Sequence, residues 1–414
     1  MIIRLATSGG PSSGISRPAI TTRRVPFKDA LAVYQDLMQE GAKDIGVVLE
    51  YESAESVVRE SAECGARSAE LSRPAARQIH PESEIRDQHL TTPVQRLDVI
   101  GAGNFARTML LPHLKNEIPF GTIVNRTALS ANHVRDKFGF ETAATDSAEI
   151  FKGTEPAAVL IATRHHLHAP LVKRALADHR HIFVEKPLCL SRQELTEIDA
   201  ARAKSRGSVM VGFNRRFAPA SADLKEILAS VPGPKTASFR VMPGKLDPQH
   251  WYGNFAESGG RVLGEACHFL DFFCFLFDAR PLRVLAQTTW PVTGRLPFPD
   301  SATAQIEFAD GSCAQLVYSA EGDASFPKEV LTVYGAGVVA EIINFQELVV
   351  HSGRKRKSFS CSSKGHAEEI SAWARFLRGQ AAHPLPYEKS RLSMLLTFAV
   401  LDSIQKSRAV ELEA

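Results

Sequence analysis

The sequence predicts an α/β protein: a parallel, helix-covered sheet followed by a large open, mainly antiparallel sheet, with a short N-terminal appendage ahead of both. Three observations predict this. From residue 96 to about 216, continuous apolar runs of strand length alternate with stretches of helical spacing, as in strands buried on both faces. From about 217, β-rich segments alternate apolar with polar residues and are joined by turns, as in strands buried on one face. Residues 1–51 hold too little material for an independent catalytic domain.

The elements follow in order. In the appendage, a strand is expected at 2–6, a Gly/Ser/Pro loop to 18, a helix over 27–39 and a buried strand in IGVVLEY, 45–51. Residues 52–95 read as a linker, helical over 54–69 and then broken by Pro74, Pro81 and Pro93. LDVIG opens the parallel series, with a helix over 106–114. TIVNR, AAVLIAT, HIFVEKP and SVMVGFNRR are its further strands, separated by helices over 131–138, 147–151, 168–177 and 191–205. The open sheet is expected from KTASFRVMP, PLRVLAQTTWP, ATAQIEFAD, SCAQLVYSA, EVLTVYGAG and VVAEIINFQ. Helices over 220–228, 264–277, 364–377 and 389–407 pack around it. The domains are thus 1–51, 52–95, 96–216 and 217–414.

Composition narrows the function classes. The 414 residues carry a formal charge of +3, and the one dense basic run, Arg354 to Lys357, reads as a solvated turn between strands. Nucleic-acid binding is therefore not expected. Six scattered cysteines include no CxxC pair, so neither zinc nor a disulfide framework is indicated, and no metal is expected. The opening MIIRLATSGG is too soon polar for a secretion signal, and no 18-residue apolar run exists for a membrane span. A reducing cytoplasm is the expected location.

RLDVIGAGNFAR, 96–107, is the most informative stretch. Gly101 permits a sharp turn, Gly103 leaves the main chain open to a phosphate, and Ala106 lets helix and strand pack closely. A dinucleotide is the ligand this turn suits. Gly101, Gly103, Asn104, Phe105 and Ala106 are the first cofactor candidates. TIVNR ends in Asn125 and Arg126 with no acidic residue to bind ribose hydroxyls, which leaves room for NADP as well as NAD. Thr163 and His165 follow the third strand and border the same crevice.

Five motifs in sequence carry a resemblance: GAGNFA at 101–106, ATRHHLHA at 162–169, VEKPLCL at 184–190, VGFNRRFAP at 211–219 and GGRVLGEACHFLDFFCFL at 259–276. Their order and spacing over about 96–410 resemble the glucose–fructose oxidoreductase/inositol dehydrogenase/rhizopine catabolism family. The resemblance implies a Rossmann-type domain, NAD or NADP, sugar-like or cyclitol substrates, and a homodimer or homotetramer paired through the open sheet. Residues 20–51 resemble the closing segment of a medium-chain zinc-type dehydrogenase, with Thr21, Thr22 and Arg23 at its threonine–histidine–arginine turn. That likeness omits the metal and nucleotide regions, so no zinc-dependent activity is assigned.

Lys186 stands where a strand reaches the crevice edge. By itself it reads either as a solvated strand-end lysine or as a cation beside a reacting hydroxyl; the resemblance implies the second. Glu185 could pair with it or contact the nicotinamide ribose. His268 reads either as a bonded core histidine or, through the resemblance, as the group taking the hydroxyl proton, titrating near neutrality. Many family members carry aspartate four residues earlier; this chain has Gly264, with Glu265 beside it. Glu265 and Asp271 are the candidates for catalytic support. Asn214, Arg215 and Arg216 at the domain joint, and His250 and Trp251 in a loop, are the substrate-binding candidates, with domain packing as the alternative. His168 is read as a packing or capping residue. The implied activity is NAD(P)-dependent oxidation or reduction of a secondary alcohol or ketone in a sugar, nucleotide sugar or cyclitol. A nucleotide-binding regulatory protein and a redox-neutral enzyme using bound NAD for elimination or hydrolysis are the alternatives.

Overall fold

The computed structural model describes residues 4–6, 23–26, 33, 47–50, 90–152, 157–247, 249–289 and 298–412. The chain divides into two compact units, Met1–Gln78 and Ile79–Ala414. In the first, β1 (Arg4–Ala6), β2 (Arg23–Pro26) and β3 (Val47–Glu50) form a parallel sheet in the order β1-β3-β2. β2 begins at Arg23, the last position of the turn that the zinc-type likeness implied; Pro26 is tolerated because β2 is an edge strand of this sheet. Val33, inside the expected helix, is helical and buried. The remainder of that helix, the 7–18 loop and the 54–69 helix lie outside the described residues.

The second unit opens with β4 (Arg96–Ile100), β5 (Phe120–Val124), helix α1 (Ala128–Phe138), β6 (Thr142–Ala144) and β7 (Ala157–Ile161). Helix α2 (His168–Ala177), β8 (His181–Val184), helix α3 (Arg192–Lys204) and β9 (Val209–Val211) complete a six-stranded parallel sheet in the order β6-β5-β4-β7-β8-β9. Every residue of β5 and β7 is buried, as the continuous apolar runs predict. β5 and β7 flank β4, so the order reverses there and a crevice opens at the carboxyl ends. Thr127 and Ser191 cap α1 and α3 by accepting from the Ser130 and Glu194 amides.

One expected helix differs. Over 106–114 the chain makes a π-turn, Ala106–Leu110, and then a 3-10 turn, Leu111–His113. Pro112 has no N–H to continue an α-helical ladder. The strand expected through SVMVGFNRR also ends early, at Val211, and Asn214–Phe217 forms a 3-10 turn.

Helix α4 (Pro219–Ala229) and β10 (Thr236–Val241) begin the second sheet. Helix α5 (Cys267–Phe277) precedes β11 (Pro281–Thr289), β12 (Ser301–Phe308), β13 (Cys313–Tyr318), β14 (Glu329–Gly335), β15 (Val338–Ile343), β16 (Glu347–Ser352) and β17 (Lys355–Ser360). Helices α6 (His366–Leu377) and α7 (Tyr387–Lys406) and the short β18 (Val410–Glu411) follow. The nine-stranded order is β17-β16-β15-β14-β10-β13-β12-β11-β18, with only the β10–β13 pair parallel. β12 shows the expected alternation: Ala304, Ile306 and Phe308 are buried, Thr303, Gln305 and Glu307 exposed. The inner face of this sheet packs with α5 and α7 around Phe239, Phe269, Phe272 and Phe273. The basic run 354–357 is mostly not a turn: Lys355 to Lys357 begin β17, an edge strand exposed at every position. Such charge protects an open edge against further strand addition.

The two sheets are tied together. α6 packs onto the parallel sheet, with Trp373 against Phe183 at 5.4 Å. α7 contributes Met394 and Phe398 to the first core and Leu396, Ala399 and Val400 to the second.

Candidate active site

The crevice at the end of β4 is built mainly by backbone. Gly101 has φ +87°, and a Cβ there would lie 2.6 Å from the Ala162 carbonyl oxygen, so the turn requires glycine. A Cβ on Gly103 would meet nothing within 4 Å, so its main chain faces open space. The Asn125 side chain is tied to its neighbours: its Oδ1 accepts from the Ala102 amide at 2.7 Å and its Nδ2 donates to Ser130 Oγ at 3.1 Å. It braces the glycine turn. Arg126 is exposed and makes no ion pair among the described residues. A cavity of about 650 Å³ lies here, lined in part by Gly101, Asn125, Arg126, Thr145, Ser147 and Thr163. Its size, open main chain and lack of a carboxylate at the end of β5 fit a nicotinamide dinucleotide of either phosphate state.

A second cavity, of about 320 Å³, adjoins the end of β8. Glu185 and Lys186 enter just after β8, Asn214 and Arg215 from the 3-10 turn, Glu265 from the turn before α5, His268 from the start of α5, and Phe105 from the glycine turn. Before α5 the chain makes a π-turn over Val262–Ala266. Such turns disturb the ladder of helix hydrogen bonds, and here the Gly264 carbonyl accepts from Lys186 Nζ at 2.8 Å.

Burial governs the titration of this cavity. It pushes the Glu185 carboxyl up to about 7 despite the nearby Lys186. It drives the His268 imidazole well below its ordinary value, helped by Arg215 and Lys186. The expectation that His268 titrates near neutrality is therefore corrected: the ring is neutral there, with a buried Nδ1 that has no hydrogen-bond partner among the described residues. Glu265 does not bond His268. It accepts from Arg261 Nη2 at 3.0 Å and from the Tyr318 hydroxyl at 2.5 Å. Against the upward push of burial, Arg261 and Tyr318 hold its carboxyl below the usual range.

Most of the other predicted residues are held in pairs and braces, and several lie outside the cavity's wall. Asp271 takes two hydrogen bonds of 2.7 Å from Arg216 Nε and Nη2 and another from Ser393. Arg216 is thus a buried ion-pair partner rather than a free donor fork. Arg215 lines the cavity but is clamped on Glu329 at 2.9 and 3.0 Å. Asn214 donates to the Lys364 carbonyl at 2.6 Å. His165 is braced on the Ser258 carbonyl at 2.8 Å and packs edge-on against Trp251 and Tyr252. His250 Nδ1 caps the turn by accepting from the Tyr252 amide. His168 is buried between the Pro187 and Thr163 carbonyls, the packing role expected of it. Asn104 and Ala106 shape the glycine turn; Phe105 meets His366 edge-on at 5.5 Å.

Sequence reasoning missed Tyr252, Arg261, Lys328 and His366, all on the cavity wall. Tyr252 adjoins Trp251 in a segment already singled out. His366 lies far along the chain with no pattern marking it.

A glycine-turn crevice beside a buried lysine–histidine cavity, on a parallel sheet joined to an open antiparallel one, defines a nicotinamide-dependent oxidoreductase. Two family models match: the oxidoreductase family with NAD-binding Rossmann fold over 96–213, and the GFO/IDH/MocA C-terminal domain over 234–337. Together they span just over half of the chain, and this protein belongs to that family. It is 23% identical over 297 residues to a myo-inositol 2-dehydrogenase of Thermotoga maritima, covering 68% of this chain and 87% of the relative. It is 27% identical over 259 residues to a scyllo-inositol 2-dehydrogenase (NAD(+)) of Bacillus subtilis, covering 58% and 68%. An uncharacterized oxidoreductase of Bacillus subtilis, 26% identical over 225 residues and 52% of this chain, is spanned over 64% of its length. The solved structure of a levoglucosan dehydrogenase in complex with NADH matches with a TM-score of 0.66 at 19% identity, over 77% of this chain and 99% of that one. Two of these relatives are inositol dehydrogenases, one of them named with NAD(+). No helix among the described residues is long and apolar enough to cross a membrane. The zinc-type likeness of residues 20–51 has no counterpart in these comparisons.

Proposed function

We propose that this enzyme moves a hydride between a nicotinamide cofactor, NAD or NADP, and a secondary alcohol or ketone of a sugar, nucleotide sugar or cyclitol. The observation that carries this is the meeting of Lys186, from the parallel sheet, and His268, from the second domain's helix, in one cavity next to the nucleotide crevice. The bound nicotinamide supplies the hydride acceptor. The Lys186 ammonium donates to the reacting oxygen and stabilises the charge that develops as the C–H bond breaks. His268, kept neutral by burial, takes the hydroxyl proton. Glu265 sets the negative side of the pocket, and Asp271 positions α5 through Arg216 and Ser393. Asn214 and Arg215 border the substrate.

In this reading residues 96–216 bind nucleotide, 217–414 bind substrate and pair protomers through the open sheet, and 1–95 are dispensable for chemistry. The enzyme works in the cytoplasm. The experiment is a turnover screen of cyclitols, aldoses and nucleotide sugars with NAD and NADP, paired with nucleotide titration. Reduction of either nucleotide by a polyol supports the reading. Tight nucleotide binding without turnover of any of these compounds would overturn it in favour of a regulatory role.

A further inference from the structure

The cavity holds a polar group that the lysine–histidine chemistry leaves unused. The Tyr252 hydroxyl is buried and has no hydrogen-bond partner among the described residues, although the whole side chain is only 8% exposed. A buried hydroxyl without a partner is costly to maintain and points to a missing ligand. Its position is fixed rather than accidental. The ring is wedged edge-on against His165 at 5.0 Å and tilted against Trp251 at 4.8 Å. Its backbone carbonyl accepts from the buried Ser258 hydroxyl at 2.9 Å, and its amide donates to His250 Nδ1 at 3.3 Å.

Gly264 is what admits the phenol. A Cβ at that position would lie 2.3 Å from the Tyr252 hydroxyl oxygen and 2.7 Å from His165 Cε1. The same glycine holds Lys186 Nζ on its carbonyl. Two donors, an ammonium and a phenol, therefore converge on one residue from different elements. Burial and the nearby Glu265 keep the phenol protonated, so it can donate.

We infer that Tyr252 is a specificity residue whose hydroxyl donates to a substrate oxygen on the carbon adjacent to the reacting one, so that the cavity selects vicinal diols and their α-hydroxy ketones. Lys186 holds the reacting oxygen and Tyr252 its neighbour. This rests on the polyol reading above and names the substrate feature that the site reads. A site with a buried donor rejects analogues that lack the matching group far more strongly than an apolar site does.

The test measures binding of myo-inositol, scyllo-inositol and a deoxy-inositol lacking one ring hydroxyl to the NADH-loaded protein by calorimetry, with melting temperatures in the absence of polyol. Tyr252→Phe is expected to weaken inositol binding by about tenfold, the worth of one hydrogen bond. Its melting temperature should stay level or rise, because an unpaired buried hydroxyl has been removed. The wild type should bind the deoxy compound as weakly as Tyr252→Phe binds the parent, and Tyr252→Phe should no longer distinguish the two. Gly264→Ala, which displaces the phenol, should lose affinity as Tyr252→Phe does. Equal inositol affinity in wild type and Tyr252→Phe overturns this inference alone. A lower melting temperature in Tyr252→Phe makes the hydroxyl structural and overturns it too. No polyol binding by the wild type, with NADH bound, overturns the polyol reading and this inference together.

Discussion

The two cavities of this enzyme are built in opposite ways. The nucleotide crevice is shaped by main chain: a glycine at φ +87°, an open Gly103, and an asparagine spent on bracing the turn. The second cavity is shaped by side chains from separate elements, some buried and some half-exposed, with the titrations of Glu185 and His268 moved by desolvation. The difference follows from their tasks. A pyrophosphate is bound by repeated backbone donors and needs room. A reacting carbon needs a few polar groups held rigidly in a dry site, where each is worth more than in water.

If the division is real, substitutions should separate the two regions cleanly. Lys186→Ala should lower turnover by about 100-fold or more while leaving nucleotide affinity unchanged. A parallel loss of nucleotide binding in titration would break the comparison. His268→Ala should act on the same side, lowering turnover without moving nucleotide affinity.

The two glycines of the turn should fail differently. Gly101→Val forces a side chain into the Ala162 carbonyl at positive φ, so the melting temperature should drop steeply, by the equivalent of about 3 kcal/mol or more. A Cβ at Gly103 meets nothing within 4 Å, so the melting temperature of Gly103→Val should hold while nucleotide affinity falls about tenfold. Thermal melts and calorimetry on the pair decide between a structural and a ligand-facing role.

Arg126 sharpens the question of phosphate state. Exposed and without an ion pair among the described residues, it is free to face a 2′-phosphate. Arg126→Glu should weaken NADPH by about fivefold, the scale of an exposed charge contact, and NADH less. Equal effects on both nucleotides would place Arg126 against the part they share.

The smallest effect is on stability against pH. Burial holds six histidines, at 165, 168, 181, 268, 366 and 383, below their ordinary value. The unfolded chain therefore binds more protons below about pH 6.5. Their stabilising contribution is present above that value and is lost progressively as pH falls. Glu185, Glu369 and Asp271, which burial pushes up, act with the opposite sign. The Glu185 value near 7 favours the folded state below the ordinary carboxylate range, and that gain is lost as pH rises towards 7. Six histidines outweigh three carboxyls, so the melting temperature should fall from pH 7 to pH 5. Glu185→Gln should make that fall steeper, and a flat profile would contradict the buried neutral histidines.

Local chemistry made much of this protein legible. The strand runs LDVI and AAVLI, the alternation in ATAQIEF and the Gly101 turn each depend on neighbours in sequence, and each stands where the pattern indicated. Lys186 was marked by its place at a strand end before a proline. Local pattern failed where a hydrogen-bond ladder was interrupted, at Pro112 and in the π-turn before α5. It also failed to distinguish free charges from paired ones: the pairing of Arg216 with Asp271 and of Arg215 with Glu329 joins residues far apart in the chain. Tyr252 and His366 reach the cavity only because separate elements fold against one wall. By itself the sequence determined the two sheets, the glycine turn and the place of Lys186 at a strand end, because backbone conformation and face periodicity are written in adjacent residues. The tertiary structure alone decided which charges are neutralised, which histidines stay uncharged and which hydroxyl is left without a partner, because burial and long-range pairing set those energies.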